Sequence, residues 1–571
     1  MMMFRLCKPY LSRHKSALIA YLLISIFVGL FAMVNPYLIG DFIDALIDGG
    51  NMSVVVRFSL IFASINIVRT AFGYVTMILY TKLQSKTGYA FNQSIIEHIQ
   101  TLSLSFINKK DANYLAQVTN GDANQLMIFC ITVLQNVLLN AIYLLVPMII
   151  LLSLNWPITL VLMVFLLLYI LIYWKFKEPL FKRSMALRET QNKFFAKLLE
   201  QLQLTRFIKT HVLGRLFRSR LDAGFDGLLD NILKMQRMSF AYTSLDTLVT
   251  TIAQIVLFLM GGYLILQGHF TIGMFTIFSM YFSMMIGAAK YFFDFGKKYQ
   301  DNMVSYTRLT EILNQVPETN GVVQFDAIDS IELKNVCFSY DADDSLMADG
   351  NMAAEPLNDK NVASMPSFKK NIVILDFNMR FEKGKIYGIL GRNGAGKSTL
   401  INLLMGMYVD EFDGIILMNN VPVHMADMMD LRKRHMAVAE QEPVLLDEDM
   451  DINILLGTPD THEKSTDAKM HDADTALLME ILHLRDVLQS KQELPAQKQQ
   501  FSGGEKQKIA LVRALSKNAD VLILDEPTSA MDAASITRFA AHLQNIKQNK
   551  IIIIITHDPN VSQFVDVKIE L

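Results

Sequence analysis

Cysteine is scarce in this chain: there are three in 571 residues. Cys7, Cys130 and Cys337 stand far apart and match no disulfide or zinc-ligand spacing, so neither a disulfide-stapled scaffold nor a cysteine metal site is expected. Charge is also thin. Asp, Glu, Lys and Arg make up 19% of the residues and sum to a net charge of −2. That balance gives no support for a nucleic-acid binder, which needs a basic surface. A cleavable signal peptide is not expected either, because the apolar run beginning near Ala17 is too long and continues into further runs. It reads as a retained first transmembrane helix. No protease domain is expected ahead of it, and the chain is not expected to cleave a leader peptide itself.

What the chain has in excess is apolar side chain, 52% of residues, and most of that lies before residue 300. At 571 residues at least two domains are expected. Six stretches, 16–38, 56–80, 127–153, 157–176, 243–266 and 270–290, carry the roughly 20 apolar residues that cross a bilayer. Asn155-Trp156-Pro157 makes a tight outer hairpin between the third and fourth, with Pro157 suited to a first helical turn and Trp156 to an interface.

The loop at 40–55 has Asp41, Asp44 and Asp48 but lacks Lys and Arg, while Arg5, Lys8, Arg13 and Lys15 lead the chain. The segments after the second and fourth spans are basic too, with Lys82, Lys86, Lys109, Lys110, Lys175, Lys177, Lys182 and Arg183. The positive-inside rule puts both termini on the cytoplasmic side. Segments 81–126 and 177–242 read as helices that outrun the bilayer, with breaks near Asn108–Asn113 and His211–Arg215. Rods of that kind can reach a soluble domain. Within the spans, Arg69 and Asp246 are costly charges; each is a candidate substrate contact or one half of a structural ion pair, and Asp246, toward the inner end of the fifth span, has the headgroup level as a further alternative. The last span is rich in Met and aromatic residues, which suits either an adaptable apolar ligand or packing.

The second half reads as an α/β nucleotide engine. Ile331–Tyr340 alternates like a half-buried strand and ends on Tyr340, whose ring is a candidate platform for an adenine. Ile386–Leu390 is a short buried strand leading into Gly391-Arg392-Asn393-Gly394-Ala395-Gly396-Lys397-Ser398-Thr399. Strand, glycine-rich turn and helix let backbone N–H groups and a helix N-terminus face phosphates. Lys397 would reach the β- and γ-phosphates of ATP, and the Ser398 hydroxyl would ligate Mg²⁺. Val521–Leu524 is a second apolar strand ending in Asp525, a metal ligand, and Glu526, a general base for the attacking water. Ile551–Ile555 is a third strand, followed by Thr556 and His557; Gln441 has the same strand-end position after Ala437–Glu440. Ligands bind at that edge of such sheets. Residues 341–368, with six acids and one lysine, read as a disordered insertion.

Ser502-Gly503-Gly504-Glu505, about twenty residues before Asp525, makes the match specific. The chain resembles an ATP-binding cassette (ABC) exporter half-transporter of the type IV fold. Gly391–Thr399 is similar to that family's Walker A, Gln441 to its Q-loop, Ser502–Glu505 to its signature and Asp525–Glu526 to its Walker B. Ser529–Asp532 is similar to its D-loop, His557 to its switch histidine, and Leu102–Phe106 with Leu115–Asn120 to its first coupling region. The resemblance implies a six-helix all-α transmembrane domain at 1–315 and a P-loop nucleotide-binding domain at 325–571. It implies ATP and Mg²⁺, with Gln441 sharing the metal with Ser398 and Asp525. Ser502, Gly503, Gly504 and Asp532 would face ATP held on the partner's Lys397 in a homodimer. Glu505 replaces the commoner Gln, and Leu494–Gln500 replaces the usual Gly-Glu-Arg-Gly type of stretch, which puts contacts from that stretch to the coupling helices in doubt.

The implied activity is ATP-driven export of a peptide or other amphipathic compound across the cytoplasmic membrane. A lipid flippase or a multidrug exporter is the alternative, with a siderophore importer or nucleotide-gated channel behind them. A soluble cassette ATPase acting on ribosomes or DNA is excluded by the six spans.

Overall fold

The computed structural model describes residues 2–110, 112–340, 371–392, 394–446, 448, 450–456, 473–485, 501–557 and 563–571. The insertion expected at 341–368, Asn393 and the stretch 494–500 lie outside the described residues. Contacts divide the chain into two compact units, Met1–Glu97 with Leu115–Asn314 and His98–Tyr114 with Gln315–Leu571.

The helices of the first half follow in order as α1 (Met2–Ser12), α2 (Lys15–Ile47), α3 (Met52–Gln100), α4 (Leu104–Asn108) and α5 (Ala112–Ala116). A π-helical stretch, Gln117–Asp122, leads into α6 (Ala123–Leu154), followed by α7 (Trp156–Gln203), α8 (Thr205–Thr210), α9 (Gly214–Leu266) and α10 (Ile272–Leu313). Six of these, α2, α3, the helix ending at Leu154, α7, α9 and α10, are long and apolar enough to cross a membrane. The 53 residues of α9 extend about 80 Å at 1.5 Å per residue, far more than the ~30 Å hydrocarbon core. The hairpin at Asn155 forms because its side chain accepts from Ile158 N at 3.2 Å, capping α7, with Pro157 in the first turn.

Packing in the membrane unit joins α2, α6 and α10, while α7 and α9 run along each other. Polar groups close these seams inside an apolar medium, where an unmade hydrogen bond is expensive. Tyr281 donates to Met33 O at 2.7 Å, and Gln135 donates to Ser25 Oγ at 3.0 Å. The Asp44 carboxylate takes Gly273 N at 2.7 Å and Thr271 Oγ1 at 2.6 Å, capping α10. Gly273 is obligatory at that crossing: a Cβ there would stand 2.2 Å from Gly40 O.

In the second unit, β1 (Ser330–Tyr340), β2 (Asn371–Glu382), β4 (Asp413–Met418) and β5 (Val421–Pro422) form an antiparallel sheet in the order β2-β1-β4-β5. A parallel sheet of order β6-β7-β8-β3-β9 uses β3 (Ile386–Leu390), β6 (Met436–Ala439), β7 (Val521–Asp525), β8 (Ile551–Ile555) and β9 (Val567–Glu570). All five isoleucines of β8 are fully buried, as expected for a central parallel strand covered on both faces. The covering helices include α11 (Lys397–Leu404), α12 (Met428–Arg434), α13 (Met450–Leu455), α14 (Ala473–Ile481), α15 (Gly503–Ser516) and α16 (Ala533–Ile546).

Residues 98–114 are tied into this unit. Glu318 N donates to Thr101 O at 2.8 Å, Leu102 pairs with Pro317, and Leu104 packs against the core that contains Phe338 and Tyr408. Ser105 and Lys109 line a cleft of about 530 Å³ with Phe338, Ile372 and Phe412. Ser103 caps α4 by accepting from Phe106 N.

Candidate active site

Three parallel strands end at the same sheet edge and deliver the chemistry. β3 runs into the glycine-rich loop, β7 ends at Asp525 and Glu526, and β8 is followed by Thr556 and His557. Gln441 follows β6 at the same edge. Gly394 at φ +83° and Gly396 at φ +91° take left-handed backbone that suits glycine, and Gly396 begins α11. Lys397 Nζ donates to Gly391 O at 2.8 Å, so the lysine lies folded against its own loop. Thr399 is buried, and its hydroxyl stands 3.0 Å from Tyr340 OH. Tyr340 is further fixed edge-on by Phe338 and Tyr408.

Glu526 is the centre of the site. It is 9% exposed and holds a left-handed backbone at φ +49°, unusual for a side chain of its kind. Its N–H donates to Ile555 O at 2.8 Å. Gln441 Nε2 donates to its Oε2 at 2.9 Å, and His557 Nδ1 lies 2.9 Å from its Oε1. The carboxylate is thereby held from both sides, and His557 itself remains 67% exposed. Burial pushes the neighbouring Asp525 carboxyl up to about 6, with the Glu526 charge adding to it and Lys397 opposing. Two crowded acids, Asp525 and Glu526, are oxygen donors of the kind a divalent cation prefers.

The signature begins a helix. Ser502 caps α15 in a reciprocal box: Ser502 N donates to Glu505 Oε2 at 2.8 Å, and Glu505 N to Ser502 Oγ at 3.3 Å. Glu505 therefore has a local structural use, one that the family's usual Gln also permits. Gly503 has open space where a side chain would be, while a Cβ on Gly504 would lie 3.2 Å from the Ala530 Cβ. Asp532 spends its carboxylate capping α16 through Ser535 N at 2.7 Å.

One residue escaped sequence reading. Gln507, buried in α15, donates to Glu526 O at 2.7 Å and accepts from Ser529 Oγ at 2.6 Å. The only hint available was its place on the inward face of the helix after the signature.

In the membrane unit, Asp246 is buried and pairs through Oδ2 with Lys290 Nζ at 2.6 Å. Arg69, half-buried on α3, lies outside that cluster.

Comparison with known families places these features together. The ABC transporter model matches residues 374–529, and the ABC transporter transmembrane region matches residues 18–289. Alpha-hemolysin translocation ATP-binding protein HlyB of Escherichia coli O157:H7 is 24% identical over 564 residues, covering 96% of this chain and 73% of that protein. The Bacillus subtilis (strain 168) ATP-binding/permease protein YgaD, assigned to multidrug export, is 24% identical over 566 residues, covering 96% and 90%. The solved structure of a bacterial Atm1-family ABC exporter with ATP bound superposes with a TM-score of 0.75 at 18% identity, over 98% of this chain and 93% of that one. Six membrane-crossing helices ahead of an ATP-binding cassette, matched in sequence and in fold, make this chain a member of the ABC transporter family, an integral membrane exporter that couples ATP hydrolysis to transport.

Proposed function

We propose that the chain is one half of a two-fold dimer that exports a peptide or other amphipathic compound from the cytoplasm. The observation that carries the catalytic half of this reading is the Glu526 carboxylate held between Gln441 and His557 beside the Walker A loop. Gly391, Asn393, Gly394, Ala395, Gly396, Lys397 and Thr399 hold the phosphates of ATP, and Tyr340 meets its base. Ser398, Asp525 and Gln441 hold Mg²⁺, which when bound supplies positive charge to the phosphate oxygens. Glu526 takes the proton of the attacking water, and Gln441 and His557 orient it. Ser502, Gly503, Gly504 and Asp532 complete the site of the second copy, which gives a two-fold interface two equivalent sites. ATP's preference for the closed pair shifts the population of states, and the long helices carry that closure to the membrane half. Both termini and the cassette lie on the cytoplasmic side, as the basic segments require.

Support for the cargo comes from relatives named for translocating alpha-hemolysin and leukotoxin. Multidrug export is a second reading, favoured by the larger share of the Bacillus subtilis relative that the chain spans, 90% against 73%. The test is uptake into inside-out proteoliposomes. ATP-dependent accumulation of a labelled amphipathic peptide is expected, and accumulation of ethidium but no peptide would replace the first reading by the second. ATP turnover without accumulation of either would overturn both.

A further inference from the structure

Asp246 and Lys290 meet at one depth of the membrane unit. Asp246 is about 20 residues from the end of α9 at Leu266, and Lys290 about 18 from the start of α10 at Ile272; at 1.5 Å per residue these are roughly 30 and 27 Å from the shared hairpin. The pair therefore sits at the inner boundary of the hydrocarbon core. The two partners are not equivalent. Asp246 is 5% exposed, and its Oδ1 has no hydrogen-bond partner among the described residues. The Lys290 side chain is 42% exposed and lies 5.9 Å from the centroid of the Tyr169 ring. Tyr169 OH is in turn 3.1 Å from Tyr242 OH, so α7, α9 and α10 all contribute.

A purely structural ion pair would bury both charges and satisfy both carboxylate oxygens. This pair leaves a buried acceptor open beside an accessible ammonium that still has donors to offer. A cationic ligand would face Lys290 with like charge, and an anion without a donor would leave Oδ1 unmet. We propose that Asp246 and Lys290 form a recognition point for the transported molecule, taking an anionic oxygen with an N–H donor beside it, as a peptide C-terminus presents. The anion meets Lys290, the N–H meets Asp246 Oδ1, and Asp246 Oδ2 holds the ammonium in place. Tyr169 and Tyr242 wall the point on the α7–α9 side. This inference rests on the peptide reading of the cargo. A phosphatidylethanolamine headgroup carries the same donor and acceptor, so the test separates the two sources.

The experiment uses the full chain in nanodiscs of phosphatidylcholine, whose headgroup has no hydrogen-bond donor. ATPase stimulation is measured with N-acetyl-Leu-Leu-Phe as the free acid and as the C-terminal amide. The free acid is expected to act at about tenfold lower concentration, the scale of one charge-assisted hydrogen bond. Lys290→Gln should erase that preference and Lys290→Arg should retain it. Equal potency of acid and amide on the unaltered protein, a measurement that needs no variant, would overturn the proposal; so would a preference that survives Lys290→Gln. Stimulation that appears only when phosphatidylethanolamine is added, and is lost in Lys290→Gln, would overturn the peptide as source and assign the point to lipid. No response to either peptide, with ethidium still accumulated in proteoliposomes, would overturn the peptide reading itself and this inference with it.

Discussion

Gln507 Nε2 donates a 2.7 Å hydrogen bond to the main-chain carbonyl of Glu526, while its Oε1 accepts from Ser529 Oγ at 2.6 Å. The helix that begins at the signature is therefore pinned, a little over one turn in, to the backbone of Glu526, the proposed general base, and to the segment after it. Since Glu526 holds a left-handed conformation, the bond helps fix where its carboxylate points. Ser502 at the start of the same helix is the residue proposed to meet the second copy's ATP; in such a dimer a shift of α15 would be passed through Gln507 to Glu526.

Gln507→Leu should lower kcat for ATP by about 10- to 100-fold, the effect of misplacing a catalytic group by an ångström or less. KM should change little, because the two side-chain hydrogen bonds of Gln507 go to Glu526 O and Ser529 Oγ and not to the glycine-rich loop. Ser529→Ala should show the same split in weaker form. Steady-state ATPase in nanodiscs measures both, and a raised KM at constant kcat would assign Gln507 to nucleotide binding instead.

Glu526→Gln keeps the shape and the two neighbours but removes the proton acceptor. Sustained hydrolysis should fall by at least ~100-fold while ATP remains trapped, which filter binding of labelled nucleotide would detect. Unchanged turnover would show that another group takes the proton.

Asp525 gives a stability prediction with a defined sign. Its folded-state pKa, about 6, is raised above the ordinary aspartate value of 3.8 that the unfolded chain keeps, so between these the folded state binds more protons. Stability of the nucleotide-free protein should therefore fall as pH rises from 4 through 6 on account of this group. Asp525→Asn should remove that contribution and raise the melting temperature at pH 7.5, while abolishing Mg²⁺-dependent hydrolysis. A lower melting temperature in the variant would mean that the carboxylate is stabilised in the fold rather than strained.

Glu505 can be tested against the family's commoner residue. Glu505→Gln preserves the capping box, and its thermal unfolding should match the unaltered protein. Glu505→Ala should cost about 1 kcal/mol, and for a domain of this size that is a shift of roughly 2–4 °C in Tm by calorimetry.

The cassette was largely legible in the sequence because its residues are local. Gly394, Gly396 and Lys397 must follow a strand and open a helix within a few positions, and Asp525–Glu526 must end a strand, so spacing alone exposes them. Gln507 was not legible. Its partner carbonyl is 19 residues away and is presented only because Glu526 takes left-handed backbone. The same holds in the membrane half, where Asp246 stood out as a charge inside an apolar run. Lys290, the last residue of its run, carried no such signal.

Asp532 and His557 show the complementary case. Their motif positions were readable, but the uses of their side chains, a helix cap and a contact with Glu526, belong to the folded cassette.

Composition, hydropathy and motif order by themselves determined that this chain crosses a membrane six times and carries an ATP-binding cassette, because apolar length and phosphate-binding turns are properties of contiguous residues. The tertiary structure alone decided which groups meet: Glu526 with Gln441, His557 and Gln507, and Asp246 with Lys290. The reason is physical. Hydrogen bonds and ion pairs between distant segments depend on strand order, backbone hand and helix packing, none of which is written at any single position.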